Sequence, residues 1–243
     1  MKIISKLLLT LLFVIFLGIT YLSIFGIETK RFNNQIINKI KNFDQNFDIQ
    51  LKTIKIILDP FKFGISAKTI GPRLINNNKT IEIESLKTKI SLKALIDKQF
   101  SLENLEISTK SIELNNLLSF IRLRYQSPEL YILDKVIKKG FLIADIKLEF
   151  NDQGKIKDNF IINGFIKDGK LSFHNEYNID KINFIFDLEK NRLVIGESNF
   201  NLNGLYFHSD EISIRRKANI FSIKGEIDNK KFDLDSSKSN KFI

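Results

Sequence analysis

Residues 81–92 read Ile-Glu-Ile-Glu-Ser-Leu-Lys-Thr-Lys-Ile-Ser-Leu, an almost strict alternation of apolar residues with charged or hydroxyl residues. A two-residue period is typical of a β-strand that has one apolar and one polar face. The alternation slips by one residue between Ile83 and Leu86, which predicts a bulge that keeps the apolar side chains on one face. The stretch therefore predicts a two-faced strand within a larger sheet.

The same alternation continues on both sides of this stretch. Residues 48–114 form a first predicted β region, with breaks at Asp59-Pro60, Gly71-Pro72 and residues 76–78, all asparagine. Residues 141–235 form a predicted meander of short antiparallel strands, joined by turns at residues 151–154, 167–170 and 189–192. Residues 236–243 are predicted to be a loose tail.

Two segments have a helical period instead. In residues 29–47, apolar residues recur every three or four positions, which predicts an amphipathic helix that either lies on the membrane surface or packs onto its own domain. Residues 115–140 form a predicted helical insertion with pieces at 117–123 and 128–139. The second piece has Ser127 as N-cap, Pro128 at the first position and Gly140 after the end. Its apolar stripe of Leu130, Leu133, Val136 and Ile137 predicts packing on the sheet.

The N-terminal segment Leu7 to Ile27 is uncharged and long enough to cross a bilayer, because about 21 residues at ~1.5 Å each span ~31 Å. A cleaved signal peptide is the alternative, but no small-x-small cleavage site follows the apolar stretch. Residues 1–28 are therefore predicted to be a transmembrane anchor. The short basic start, with Lys2 and Lys6, favours a cytoplasmic N-terminus and translocation of the remaining chain.

Composition favours strands over helices. The 243 residues include 22 Phe and only four Ala, and 43% of them are hydrophobic. The net charge of +10 comes from lysines that are spread along the strands, with one dense cluster at residues 215–217. This distribution favours a solvated basic face or weak attraction to anionic lipid headgroups, and it argues against nucleic acid as a partner. The chain has no cysteine, so disulfides and thiol chemistry are excluded.

The predicted sheet lacks a cover for its apolar side. Two short helices are too little to bury one face of about a dozen strands. The sheet is therefore expected either to close on itself as a sandwich or barrel, or to leave an apolar trough that holds another molecule.

A family resemblance bears on this choice. The run of residues 81–96, followed by residues 100–107 and the paired strand 112–114, resembles the N-terminal region of AsmA-like proteins, including their single N-terminal anchor. Residues 140–228, with Asp145 to Phe150 and Ile162 to Ile166, are similar to the middle region of the larger AsmA-like and TamB-like envelope proteins. Family members with a bridging role are usually much longer, so this chain is expected to be a truncated frame, a short paralogue or one segment of a bridge.

The resemblance implies a mainly β fold, in which a single transmembrane helix precedes a long, curled, groove-like antiparallel sheet with short amphipathic helices. It implies a Gram-negative inner-membrane protein with its bulk in the periplasm, acting in phospholipid transport or outer-membrane biogenesis. Phospholipid acyl chains, or another envelope protein, are then the expected partners. The candidate groove residues are Ile83, Ile90, Leu92, Ile146, Leu148, Phe150, Phe184 and Phe186.

Catalytic and metal-binding patterns are not found in the sequence. His174 and His208 have no Cys, Asp or Glu at metal-ligand spacing, and no phosphate-binding loop, dinucleotide fingerprint or nucleophile elbow occurs. Asp168 and Asp210 are interpreted as turn residues, and Gly164 and Gly169 as a strand bend and a turn. The chain is therefore predicted to be neither an enzyme nor a cofactor-binding protein. A structural or assembly module with a closed β-sandwich that binds another envelope protein remains the alternative function.

Overall fold

The computed structural model describes residues 2–31, 33–43, 46–61, 64–91, 102–151, 156–173, 177–218 and 220–229. The chain divides into two units, one made of Met1–Thr109 with Asp145–Phe160 and the other of Lys110–Ala144 with Ile161–Ile243. The predicted mainly β fold is confirmed in the described residues: one N-terminal apolar helix precedes a long antiparallel sheet, and few further helices occur. This sheet is not closed into a barrel.

Unit 1 begins with the apolar helix and continues as strands. Its elements are α1 (Lys2–Ile24), β1 (Ile27–Thr29), α2 (Asn33–Phe43), β2 (Phe47–Gln50), β3 (Ile54–Asp59), β4 (Gly64–Ile70), β5 (Arg73–Asn76), β6 (Lys79–Ser91), β7 (Leu102–Thr109) and the part of β9 (Ile137–Glu149) from Asp145 onward. The strands pair antiparallel in the order β1-β3-β4-β6-β7-β9, while the start of β6 pairs with β5 and β5 pairs with β2.

Within the described residues, unit 2 contains two further helices and several strands of 11–13 residues. Its elements are β8 (Ile112–Glu113), α3 (Leu114–Arg122), α4 (Pro128–Val136), β9 as far as Ala144, β10 (Ile161–Phe173), β11 (Tyr177–Glu189), β12 (Arg192–Leu202), β13 (Leu205–Lys217) and β14 (Ile220–Gly225). Strands β9 to β14 lie side by side in chain order, as a meander requires. The predicted turn at residues 189–192 is confirmed, because Glu189 and Arg192 are paired directly.

The N-terminal apolar helix ends three residues earlier than the sequence suggested. Helix α1 ends at Ile24, and Ile27, predicted to lie in the span, is the first residue of β1 and pairs with Ile56. Gly26 makes the connection with a positive φ of 68°, and a side chain there would meet the carbonyl oxygen of Ile56 at 2.4 Å. Only glycine fits this link between helix and strand.

Helix α2 occupies only the middle of the predicted segment 29–47, because residues 27–29 and 47–50 are strands. It contacts β2, and its first residue, Asn33, is buried. The Asn33 amide donates to the carbonyl oxygens of Leu51 at 3.2 Å and Lys52 at 2.7 Å. Of the two predicted placements, α2 thus packs on its own unit.

The predicted end of helix α4 and a predicted turn in unit 2 are wrong. Helix α4 ends at Val136 and not at Lys139, because strand β9 begins at Ile137 and continues through Gly140. The predicted turn at residues 167–170 is a bulge inside β10, where the pairing with β11 shifts between Ile166 and Gly169. The predicted N-cap is confirmed, since the Ser127 hydroxyl oxygen accepts a hydrogen bond from the Leu130 N–H at 3.3 Å. Residues 152–155 and the predicted tail 236–243 lie outside the described residues.

Candidate functional site

Helix α1 has the properties of a membrane span. The most apolar 18-residue window within Ile3–Ile24 has a mean hydropathy of 2.6, and none of it is buried inside the protein. The hydroxyls of Thr10, Thr20 and Ser23 in this segment each donate to the carbonyl oxygen four residues earlier at 2.8–2.9 Å. Because their hydrogen bonds are made within the helix, these side chains can enter hydrocarbon without an unpaired donor.

Unit 1 has one apolar and one polar sheet face. Directly opposed residues of antiparallel strands lie on the same face, so the register identifies each side. The apolar row runs Ile27, Ile56, Ala67, Thr88, Leu105 and Leu148, and a parallel row runs Ile54, Thr69, Leu86, Ile107 and Ile146. The opposite face carries Lys55, Lys68, Lys87, Glu106 and Lys147, with an ion pair between Lys87 and Glu106 at 3.3 Å.

The few polar residues on this apolar face are satisfied by backbone groups. The Thr69 hydroxyl donates to the Thr53 carbonyl oxygen at 2.9 Å, and the Thr88 hydroxyl donates to the Asn104 carbonyl oxygen at 2.6 Å. Neither hydroxyl therefore needs water or a ligand. Most of the apolar side chains are only half-buried, and Ile54, 4% exposed, is an exception.

The bulge that the sequence predicted in β6 is confirmed, because the pairing with β7 shifts between Ile83 and Ser85. Ile83 lies before the bulge and is buried at 3% exposure, so it belongs to the core of unit 1 and not to an accessible surface. Ile146 and Leu148 lie together on the half-buried apolar face, opposite Ile107 and Leu105.

The other three candidate groove residues are Phe150, Ile90 and Leu92, and the structure describes fewer of their contacts. Phe150 is half-buried and forms a single bridge with Ile156. Ile90 pairs with Ile65 in β4, which places it on the apolar face, although its side chain lies outside the described residues. Leu92 lies outside the described residues altogether.

Unit 2 also has an apolar face, which its register defines from β10 to β14. It carries Ile162, Gly164, Ile166, Leu171, Ile179, Ile182, Phe184, Phe186, Leu188, Leu193, Ile195, Phe200, Leu202, Leu205, Phe207, Ile212, Ile214, Phe221 and Ile223. The two candidates Phe184 and Phe186 are neighbours at its centre, with ring centroids 6.2 Å apart. Both side chains are half-buried, so part of their surface stays accessible to solvent.

Bulges keep the apolar side chains on one face along strands of up to 13 residues. Asp168 in β10, Lys181 in β11 and Glu197 in β12 have positive φ of 50°, 52° and 49°, and the register shifts beside each of them. An extra residue in each strand moves all later side chains to the other face, so adjacent strands must carry the insertion together. The sequence reasoning missed these bulges because Asp, Lys and Glu give no glycine signal at the positive-φ positions.

The opposite face of unit 2 is mainly polar and carries charged residues from β11 to β14. It pairs Asn163 with Asp187, Glu189 with Arg192, and Gly196 with Glu211, and Phe165, Ile185 and Val194 are interspersed. Gly164 on the apolar face is not a bend. A side chain there would meet the Phe186 ring at 2.5 Å and the Ile143 carbonyl oxygen at 2.9 Å, so glycine makes room for the phenyl ring.

The polar chemistry found in the described residues is local. Asp210 lies inside β13 and not in a turn, and its Oδ1 lies 2.8 Å from the His208 Nε2, a contact between residues two apart on one strand that the sequence reasoning did not anticipate. His174 lies outside the described residues, and within those that are described no three metal-ligating side chains meet. A hydrogen bond from Asn159 lowers the pKa of Glu149, and the Ser127 hydroxyl lowers the pKa of Glu129.

No family model, no curated protein and no solved structure matches this chain.

Proposed function

We propose that this protein is a single-pass membrane protein that shields or conveys phospholipid acyl chains on the apolar faces of its antiparallel sheets. The observation that carries the proposal is the short connection between anchor and sheet. Helix α1 ends at Ile24, and Ile27, 51% exposed, already belongs to the apolar face of unit 1. A lipid chain that left the bilayer beside α1 would meet apolar side chains within three residues of the helix end.

The exposure of the face also supports the proposal. An apolar surface several strands wide costs free energy in water, at roughly 25 cal/mol per Å² of apolar area. The described strands belong to one sheet with no second sheet packed on it, and Leu148, Phe184 and Phe186 stay half-buried. Acyl chains would remove these side chains from water, whereas the lysines of the opposite face stay solvated.

A photo-crosslinking experiment with matched positions tests this function. We expect a benzophenone amino acid at Leu148 or Phe184 to capture phospholipid in membranes of living cells, because both positions lie on apolar faces. The same probe at Lys147 or Asp187, each close by on the same strand but on the polar face, should capture none. Mass spectrometry of the detergent-extracted protein should also detect bound phospholipid.

Other outcomes of that experiment count against the proposal. Equal capture from both faces indicates contact with bulk membrane, and no lipid at Leu148 and Phe184 contradicts lipid binding. Capture of a protein at these apolar positions would instead favour the alternative function, an assembly module in the cell envelope.

We further propose that the anchor lies in the inner membrane of a Gram-negative cell, with the sheets in the periplasm. The basic start of the chain and the resemblance to AsmA-like proteins support this orientation. The chain has no cysteine, so single cysteines report topology cleanly. In spheroplasts, a membrane-impermeant maleimide should label Phe61→Cys, since Phe61 is 96% exposed, and should label Lys2→Cys only after lysis. The reverse pattern would place the sheets in the cytoplasm.

A further inference from the structure

Strand β14 is an unprotected edge of unit 2. Within the described residues it pairs with β13 alone, so one side of its backbone has no strand partner. All six of its residues are exposed, including Ile220 at 74%, Phe221 at 64% and Ile223 at 69%. Edge strands of soluble sheets are usually blocked by proline, bulges or several charges, but β14 has a regular register and a single charge, at Lys224.

The apolar face of unit 2 continues to this edge through Ile223, with Arg216 at one end of the edge. Phe221 pairs with Arg216, Ile223 pairs with Ile214, and Gly225 pairs with Ile212. The Arg216 guanidinium covers the Phe221 ring at 5.7 Å from its centroid, which partly shields the ring. A further strand beside β14 would extend the same face and bury Ile223.

Charges are arranged in opposite sign along the edge. Near the turn that precedes β14 lie the exposed cations Arg215, Arg216 and Lys217. At the other end of the strand lie the exposed anions Glu211, Glu226 and Asp228. A second copy of this strand in antiparallel orientation would bring each basic end beside an acidic end, whereas a parallel copy would bring like charges together.

We propose that β14 is a self-pairing edge, through which two copies of this chain join antiparallel about a two-fold axis at Ile223. In this register Ile223 faces its own copy, Ser222 faces Lys224, and Phe221 faces Gly225. Phe221 and Ile223, which lie on the apolar face, then oppose Gly225 and Ile223 of the other copy. Directly opposed residues share a face, so the apolar faces of the two copies lie on the same side of the joined sheet. The Phe221 ring of one copy can then cover Gly225 of the other, where a side chain would meet the Glu211 carbonyl oxygen at 2.9 Å.

Cysteine crosslinking tests the axis directly and does not depend on the lipid proposal. Opposed residues of antiparallel strands have Cα atoms about 4.5–5.5 Å apart, which a disulfide can bridge. We expect Ile223→Cys in the full-length chain, in its membrane, to form a disulfide-linked dimer under mild oxidation. The matched control Ala218→Cys lies in the turn beyond Ile220, which would itself be ~20 Å from its copy, and should stay monomeric.

A second cysteine pair keeps the test decisive if the Ile223→Cys variant does not fold. Ser222→Cys and Lys224→Cys chains, mixed, should crosslink to each other more than either does to itself. Absence of a dimer at both Ile223→Cys and this pair, equal crosslinking at Ala218→Cys, or a disulfide to a different protein in place of the dimer would overturn the proposal.

A charge exchange tests the orientation. In Ile223→Cys chains, Lys217→Glu or Glu226→Lys should each reduce the dimer yield, by roughly tenfold, because like charges then meet at both ends of the interface. Mixing the two variants should restore the dimer, since each chain then supplies the charge that the other needs. Recovery on mixing also shows that both variants are folded. No recovery would contradict antiparallel pairing.

Discussion

The side-chain oxygen of Asn183 accepts a hydrogen bond from the backbone N–H of Asp168 at 3.0 Å, across the boundary between β11 and β10. The Asn183 amide donates to the Lys181 carbonyl oxygen at 2.8 Å and to the Asn199 side-chain oxygen at 3.1 Å. One side chain thus connects the bulges of three adjacent strands. The apolar face of unit 2 depends on these bulges, because without them the residues beyond Asp168, Lys181 and Glu197 would turn to the charged face.

Asn183→Ala should therefore destabilise unit 2 more than an ordinary surface substitution. Three hydrogen bonds at about 0.5–1 kcal/mol each suggest a loss of about 2 kcal/mol in the free energy of unfolding. Chemical denaturation of the detergent-solubilised chain measures this loss. The control Asn163→Ala, exposed on the charged face of β10, should change the stability by less than about 0.5 kcal/mol. A difference of less than that between the two variants would show that Asn183 does not hold the bulges.

The sequence predicted which residues share a sheet face better than it predicted the bulges that keep them on that face. Alternation identified Ile146, Leu148, Phe184 and Phe186 as one-faced positions, since burial of one sheet side imposes a two-residue period directly. It also located the bulge after Ile83, where the apolar pattern itself slips. The turn predicted around Asp168 was wrong, because an Asp-Gly pair is typical of a hairpin turn and equally fits a bulge whose first residue has positive φ.

Long-range contacts were beyond sequence reasoning. The close approach of Gly164 to Phe186 depends on strand register, and the end of α4 at Val136 depends on the pairing of β9, which overrides the local helix signals of Lys138, Lys139 and Gly140. The extent of the N-terminal apolar helix was predicted almost correctly, because a long uncharged apolar run is read directly from the sequence.

Gly164→Ala should destabilise unit 2 by about 1–3 kcal/mol, because the added methyl group would overlap the Phe186 ring. Shrinking the ring should relieve the overlap. The double variant Gly164→Ala with Phe186→Leu should lose less stability than the sum of the two single variants, by at least about 0.5 kcal/mol. Additive losses in a double-mutant cycle would mean that the two residues do not compete for space.

Ser127→Ala should destabilise helix α4 by about 1 kcal/mol, since the Leu130 N–H loses its acceptor. Hydrogen exchange at the Leu130 amide is the direct measurement and should become faster. Ser127→Asp provides the matched control, because a carboxylate caps the same N–H and also interacts favourably with the helix N-terminus. If Ser127→Asp exchanged as fast as Ser127→Ala, the cap would not be the cause.

The stability of the protein should depend on pH through Glu149, because a hydrogen bond from Asn159 lowers the pKa of this carboxylate. The Asn159 amide donates to the Glu149 carboxylate at 2.7 Å and lowers its pKa, partial burial opposes this shift, and Lys157 at 3.5 Å adds to it. The folded pKa is lower than the unfolded one. The stabilising contribution is therefore fully present above the ordinary pKa of 4.5 and is lost as the pH falls through the folded pKa.

Asn159→Ala removes the largest cause of that shift. The midpoint of a carboxyl NMR titration of Glu149 should rise towards the ordinary value, and the loss of stability below pH 4.5 should become shallower. Lys157→Gln should also raise the midpoint, because both the charge and the hydrogen bond of the lysine lower this pKa. An unchanged midpoint in Asn159→Ala would contradict the assignment of the low pKa to the amide.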